Sequence, residues 1–178
     1  MNSSGKPATL PGKRNLICLT GFMGSGKSTV GLLLAEELGW PFKDLDREIE
    51  AAQGRTIREI FESEGEPHFR TLEHAALDQL VRCEPNVIAL GGGTIISQDN
   101  RDLIREAGGT TVWLDGSPES LLERCGGVDH RPLLGDEAGF LRLLEERRPE
   151  YRKADFKVET DGVRPEQVVE DILRLPFF

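Results

Sequence analysis

With 178 residues, 38% of them hydrophobic and 30% charged, the chain has the make-up of one ordinary globular domain. Its net charge of −9 argues against nucleic acid or an anionic membrane as the main partner, while leaving room for a locally positive pocket. Three scattered cysteines, Cys18, Cys83 and Cys125, show no CxxC spacing and suit a reducing cytoplasm rather than a disulfide framework.

The chain opens on MNSSGKPATLPGKR, residues 1–14, polar and lacking the apolar centre of a signal peptide. It reads as a disordered tail ahead of one domain over 15–178, and no apolar run approaches membrane-spanning length. Asn15–Thr20 is a short buried strand. Lys27–Leu38 follows as a helix with Val30, Leu33, Leu34 and Leu38 on one face, ended by Gly39. Phe42–Leu45 is a weaker strand. Arg47–Ala52, Thr56–Ser63 and Pro67–Arg82 read as helical, broken at Gly54 and Gly65. Val87–Leu90 is a third strand running into Gly91-Gly92-Gly93. Gln98–Glu106 is a helix and Thr110–Leu114 a fourth strand. Ser117-Pro118-Glu119 starts another helix, with a hydroxyl N-cap, proline at N1 and an acid in the first turn. That helix stops near Gly126-Gly127, and a polar loop follows. A helix from about Ala138, a strand at Phe156–Glu159 and a helix over Pro165–Leu175 complete the chain. Such alternation implies βαβ units: an α/β fold with a mainly parallel sheet and helices on both faces.

One short stretch carries the first chemistry. GFMGSGKST, residues 21–29, follows the first strand and opens the first helix, and Gly21-x-x-x-x-Gly26-Lys27-Ser28 satisfies the phosphate-loop pattern. Glycines let backbone N–H groups approach phosphate oxygens, and the helix N-terminus adds further donors and a positive dipole end. Gly24, Ser25, Gly26, Lys27, Ser28 and Thr29 are therefore the expected ATP-binding residues. Lys27 supplies a cation for the β- and γ-phosphates, and Ser28 a hydroxyl for Mg²⁺. The competing reading is a glycine-rich turn with an exposed lysine.

A phosphate loop names the donor and leaves the acceptor open. Asp44-Leu45-Asp46 ends the second strand, where alternate residues share a face, so both carboxylates are expected to point toward the site. A solvated turn with an N-cap is the plainer alternative. Farther on stand Gly65-Glu66-x-x-Phe69-Arg70-x-x-Glu73, Gly91-Gly92-Gly93, His130-Arg131-Pro132-Leu133 and Arg147-x-Pro149-x-Tyr151. His68, His74 and His130 show no metal-ligand spacing.

These motifs, in this order from about Asn15 to Leu175, resemble those of the shikimate kinases. The resemblance implies a phosphate-loop kinase fold: three αβα layers, a central five-stranded parallel sheet, a helical substrate-binding region about 45–75 and a mobile lid about 126–137. It implies transfer of a phosphoryl group from ATP to the 3-hydroxyl of shikimate, with Mg²⁺ as cofactor; the chain is long enough to fold as a monomer, the expected state. By the same resemblance Asp46 orients the acceptor hydroxyl and takes its proton, and Asp44 reaches the metal through water. Arg70 and Arg147 clamp the acceptor carboxylate, a task suited to the planar guanidinium fork. Gly91, Gly92 and Gly93 approach the ring, and Phe61 and Phe69 wall it or belong to the core. Arg131 reaches the transferring phosphate from the lid, so Lys27, Asp46 and Arg131 form the catalytic set. Arg124 and Pro165 sandwich the adenine, although Pro165 also suits a helix N1 position. One departure from common phosphate-loop proteins is the lack of a strand ending in a metal-binding aspartate, since Val87–Leu90 ends in glycine. Two other readings remain: a related kinase for gluconate or nucleoside monophosphates, and a non-catalytic nucleotide-binding module.

Overall fold

A computed structural model describes residues 15–83, 85–126 and 137–177. The expected N-terminal tail and nearly all of the expected lid, with Arg131 and His130, lie outside the described residues.

Five strands form one sheet in the order β2-β3-β1-β4-β5: β1 Leu16–Thr20, β2 Phe42–Asp44, β3 Asn86–Ala89, β4 Thr110–Asp115 and β5 Phe156–Glu159. Every pairing is parallel. β1 is the centre strand, and its burial on both faces explains its unbroken apolar run. Its side chains alternate between two cores, as a period of two demands. Ile17 and Leu19 pack with Val30, Leu34 and Leu38 of α1 (Lys27–Leu38) and with Val168, Val169 and Ile172 of α7 (Pro165–Leu173). Leu16 and Cys18 pack on the other face with Leu45 and Ile49 of α2 (Leu45–Gln53), Ile60 and Leu77 of α3 (Ile57–Val81) and Ile104 of α4 (Gln98–Glu106). Burial also pushes the Cys18 thiol up to about 12, with Asp155 adding to the effect, so it stays protonated and inert. A third core joins Phe22, Ile95, Trp113 and Leu121 to Phe140, Leu144 and Tyr151, under α5 (Pro118–Arg124) and α6 (Glu137–Tyr151). Among the described residues no helix is long and apolar enough to cross a membrane.

The expected break at Gly65 is real: α3 carries non-helical φ 78 and ψ 174 there. Pro67 follows two residues later; it lacks an N–H and favours the first turn of a restarted helix. The start of α3 is held by a capping box, with Thr56 and Glu59 exchanging side-chain-to-backbone bonds of 3.2 and 2.7 Å.

Two boundaries change how the site is built. β2 stops at Asp44 and α2 begins at Leu45, so Asp46 sits in the first turn of a helix and not on a strand. The cause is local: the Asp44 carboxylate caps α2 by accepting from the Arg47 N–H at 3.4 Å, and Leu45 is fully buried beneath the turn. Strand alternation is therefore not what aligns Asp44 and Asp46. β4, in turn, runs one residue further than expected and ends in an aspartate, Asp115. Its carboxylate lies 3.6 Å from both Arg148 and Lys157 and outside the cleft described below, while β3, which leads to the cleft, is followed by Leu90 and then Gly91.

Candidate active site

The C-terminal ends of β1, β2 and β3 open into a cleft of about 850 Å³, the size of a small-molecule site. Such crevices lie beyond the carboxyl ends of strands in open α/β sheets, where the connections leave for opposite faces. Here α1 packs on one face of the sheet and α2–α4 on the other.

The loop after β1 lines the cleft from Met23 to Val30. Gly26 caps α1 at φ 91, a left-handed conformation that glycine adopts without cost, and α1 presents its N-terminal donors beyond it. Lys27 Nζ donates to the carbonyls of Gly21 at 2.8 Å and Phe22 at 3.0 Å, which arches the side chain over the loop. Ser28 Oγ donates to Asp44 Oδ2 at 2.6 Å, tying the loop to the end of β2. This hydroxyl–carboxylate pair suits a hard divalent cation, which prefers oxygen donors and retains water. Among the described residues no group of three or more His, Cys, Asp or Glu gathers for a metal, so such an ion would depend on these two oxygens, water and phosphate.

Arg124, Thr160, Val163, Pro165 and Val168 line the same cleft. Arg124 donates to Thr160 Oγ1 at 3.0 Å and to the Thr160 carbonyl, and Thr160 Oγ1 donates in turn to the Asp115 carbonyl at 2.9 Å. The guanidinium is thereby fixed in the wall of the cleft that Pro165 also lines, a planar group able to stack on a flat base.

Much of the remaining lining is charged and comes from separated segments: Asp46 from α2, Glu66, Arg70 and Glu73 from α3 beside Phe61 and Phe69, and Arg147 from α6, around Gly91 to Gly93 after β3. The glycines are what let them converge. A Cβ at Gly91 would lie 2.8 Å from Asp46 Oδ1 and 3.1 Å from Glu73 Oε1. At Gly92 it would lie 3.2 Å from Arg147 Nη1, and at Gly93 2.6 to 3.0 Å from the Arg70 guanidinium.

Arg70 is gripped by two carboxylates. Its Nη1 donates to Glu73 at 2.9 Å, and its Nε and Nη2 donate to Glu66 at 3.2 and 2.9 Å. Glu73 is itself buried and also accepts from Thr94 Oγ1 at 2.6 Å, so both its oxygens are satisfied. Burial of Arg70 works against its charge, yet these acids raise its pKa overall, keeping a fixed cation in the cleft. Phe69 is buried in the core cluster and Phe61 packs on it, ring centroids 4.8 Å apart; both also line the cleft, so wall and core describe the same pair.

Asp46 is the perturbed carboxyl. Burial first, then the neighbouring Asp44, push its pKa up to about 6; Lys27 opposes this, and Glu73 and Glu50 add to it. A carboxyl poised near neutrality beside a phosphate loop suits acceptance of a hydroxyl proton.

Every described residue expected at the site lines this cleft: the loop residues, Asp44, Asp46, Phe61, Phe69, Arg70, the three glycines, Arg124, Arg147 and Pro165. Arg148 leaves it, donating instead to the Gly116 carbonyl at 3.0 Å. Three residues escaped the sequence reading as site residues. Glu73 was signalled by its place one helical turn after Arg70, Tyr151 by closing the Arg-x-Pro-x-Tyr motif, and Thr160 by nothing local.

Phosphate loop, buried carboxyl and paired guanidinium groups around one cleft define a phosphate-loop kinase for a small anionic acceptor. The family model for shikimate kinase matches residues 23–175. A shikimate kinase from Persephonella marina is 44% identical over 158 residues, 88% of this chain and 96% of the relative. Another from Pseudomonas syringae pv. syringae is 48% identical over 164 residues, 90% and 94% of the two chains. The structure of the shikimate kinase from Acinetobacter baumannii in complex with shikimate superposes with a TM-score of 0.83 at 41% identity, covering 89% of this chain and 90% of that one. The chain belongs to the shikimate kinase family and is an ATP-dependent phosphotransferase.

Proposed function

We propose that this chain transfers the γ-phosphoryl group of ATP to the 3-hydroxyl of shikimate, giving shikimate 3-phosphate and ADP. The observation that carries this reading is the meeting of Asp46 and Lys27, beside the phosphate loop, with Arg70 and Arg147 over the glycine run. An acceptor that fits must bring a carboxylate for the arginines and a hydroxyl for Asp46. A polyhydroxylated ring acid does so; a nucleoside monophosphate does not.

In this reading the loop amides and Lys27 hold the β- and γ-phosphates, and Arg124 and Pro165 flank the adenine. Arg70 and Arg147 bind the acceptor carboxylate, Phe61 and Phe69 wall the ring, and segment 45–75 forms most of this acceptor pocket. Asp46 orients the hydroxyl and receives its proton as the oxygen–phosphorus bond forms. The transition state is loose, so alignment contributes more than base strength. A Mg²⁺ ion held by Ser28 and, through water, by Asp44 would offset phosphate charge. Arg131 is assigned to the phosphate on the strength of its motif. The three cysteines, free in the described structure, fit a cytoplasmic enzyme, and the chain is long enough to act as a monomer.

An acceptor panel tests the proposal: ADP release and a phosphorylated product with shikimate, and neither with gluconate or nucleoside monophosphates. Turnover of gluconate in preference to shikimate would replace the acceptor. Nucleotide binding with no turnover on any acceptor would favour the non-catalytic module.

A further inference from the structure

The buried end of α6 contributes more to the cleft than Arg147. Tyr151 closes this helix, fully buried, with its ring 6.1 Å from Trp113. Packing accounts for the ring but not for the hydroxyl, since burying a hydroxyl costs free energy unless it is bonded. Its partner is specific: Tyr151 Oη donates at 2.6 Å to the carbonyl of Gly92, the middle residue of the glycine run.

Arg147 stands four residues earlier on the same helix face, and its guanidinium approaches the same hydroxyl. Over Gly92 the two side chains converge, 3.2 Å (Arg147 Nη1) and 3.9 Å (Tyr151 Oη) from where a Cβ would be. Pro149 lies between them and has no N–H to give to the helix, so the last turn of α6 is held less by its own backbone. External ties replace that bond. Besides Tyr151, Arg101 donates to Glu150 and to the Ile96 carbonyl, both at 2.9 Å, fastening α6 to the 3-10 turn Thr94–Ile96 just after the glycines.

We propose that Tyr151 is a positioning residue for the acceptor clamp: its hydroxyl joins the Gly92 carbonyl to Arg147 and so holds the glycine run and the clamp arginine in one register. With the Gly92 carbonyl turned to Tyr151, that turn keeps one conformation beside the acceptor. The inference rests on shikimate as acceptor for its kinetic effect, and on the hydrogen bond alone for its structural one.

Tyr151→Phe keeps the ring and removes the bridge. The shikimate KM is expected to rise about tenfold, the scale of one buried hydrogen bond, with the ATP KM unchanged. In an Arg147→Ala background the same substitution is expected to add less than about twofold, because the partner is already gone. Equal losses in both backgrounds would mean a merely structural tyrosine and overturn the proposal. Amide exchange gives a readout that needs no acceptor. Thr94 and Ile96, whose N–H groups bond the Gly91 and Gly93 carbonyls at 3.1 and 3.2 Å, are expected to exchange about tenfold faster in Tyr151→Phe. Unchanged exchange would sink the bridge whatever the substrate. A wild-type enzyme inactive on shikimate would instead remove the acceptor reading, leaving exchange to decide the bridge.

Discussion

The phosphate loop and the acceptor pocket share one cleft but are built by opposite means. The loop is nine consecutive residues, and it presents mostly backbone, with Lys27 folded back onto its own carbonyls. The acceptor pocket draws side chains from three separated helices between Asp46 and Arg147, and they meet only because three glycines leave room. Backbone donors at a helix end come with the fold and need no partner. Buried charges must be neutralised, which is why Arg70 is held by Glu66 and Glu73, and why Asp46, lacking such a cation pair, is pushed toward neutrality.

The sharpest way to break this contrast is Asp46→Asn. Turnover is expected to fall about 10²- to 10⁴-fold, the range for a positioned acid–base group, while ATP affinity stays put, as titration calorimetry would report. The same variant is expected to melt higher near neutral pH, because it removes a buried charge with acidic neighbours; loss of ATP binding would show that the two halves are not separable. Next comes Arg70→Ala, expected to raise the acceptor KM about 10- to 100-fold through loss of a charge-assisted pair, with kcat less affected. Unaltered acceptor saturation would remove Arg70 from the clamp. The smallest change tests the glycine run. In Gly93→Ala the nearest atoms to the new Cβ belong to the Arg70 guanidinium, 2.6 to 3.0 Å away, so the fold should hold while Arg70 is displaced from Glu66 and Glu73. A several-fold rise in acceptor KM with an unchanged melting point is expected, and a large drop in melting point would mean that the glycine serves the backbone.

The same contrast explains what could be read in advance. The loop was legible because its chemistry is contiguous and its strand–loop–helix setting follows from hydrophobic period. The sheet and helices were legible within a residue or two for the same reason. Asp44 and Asp46 were expected in the cleft for the wrong local reason: strand alternation was assumed, whereas the Asp44 cap starts a helix at Leu45, two residues earlier than expected. Motif order marked Arg70 and singled out Arg147 over Arg148, while Glu73, one helical turn after Arg70, was passed over. Thr160 had no local signal, because its role arises from β5 lying beside β4, which only the folded sheet creates.

The charge state of Asp46 offers the most direct test. Its folded pKa, about 6, lies above the ordinary carboxylate value of 3.8. Folding therefore takes up a proton, so this group favours the folded state most at acid pH and costs stability as pH rises through about 6. Only the ionised form can accept the hydroxyl proton, so activity must run the other way. The decisive measurement is kcat/KM for shikimate against pH in the wild type and in Asp46→Asn. The expected result is a wild-type rise through about pH 6 to a plateau, and no such step in the residual activity of the variant. A step of the same size and midpoint in both proteins would contradict the assignment of Asp46 to the proton of the reacting hydroxyl.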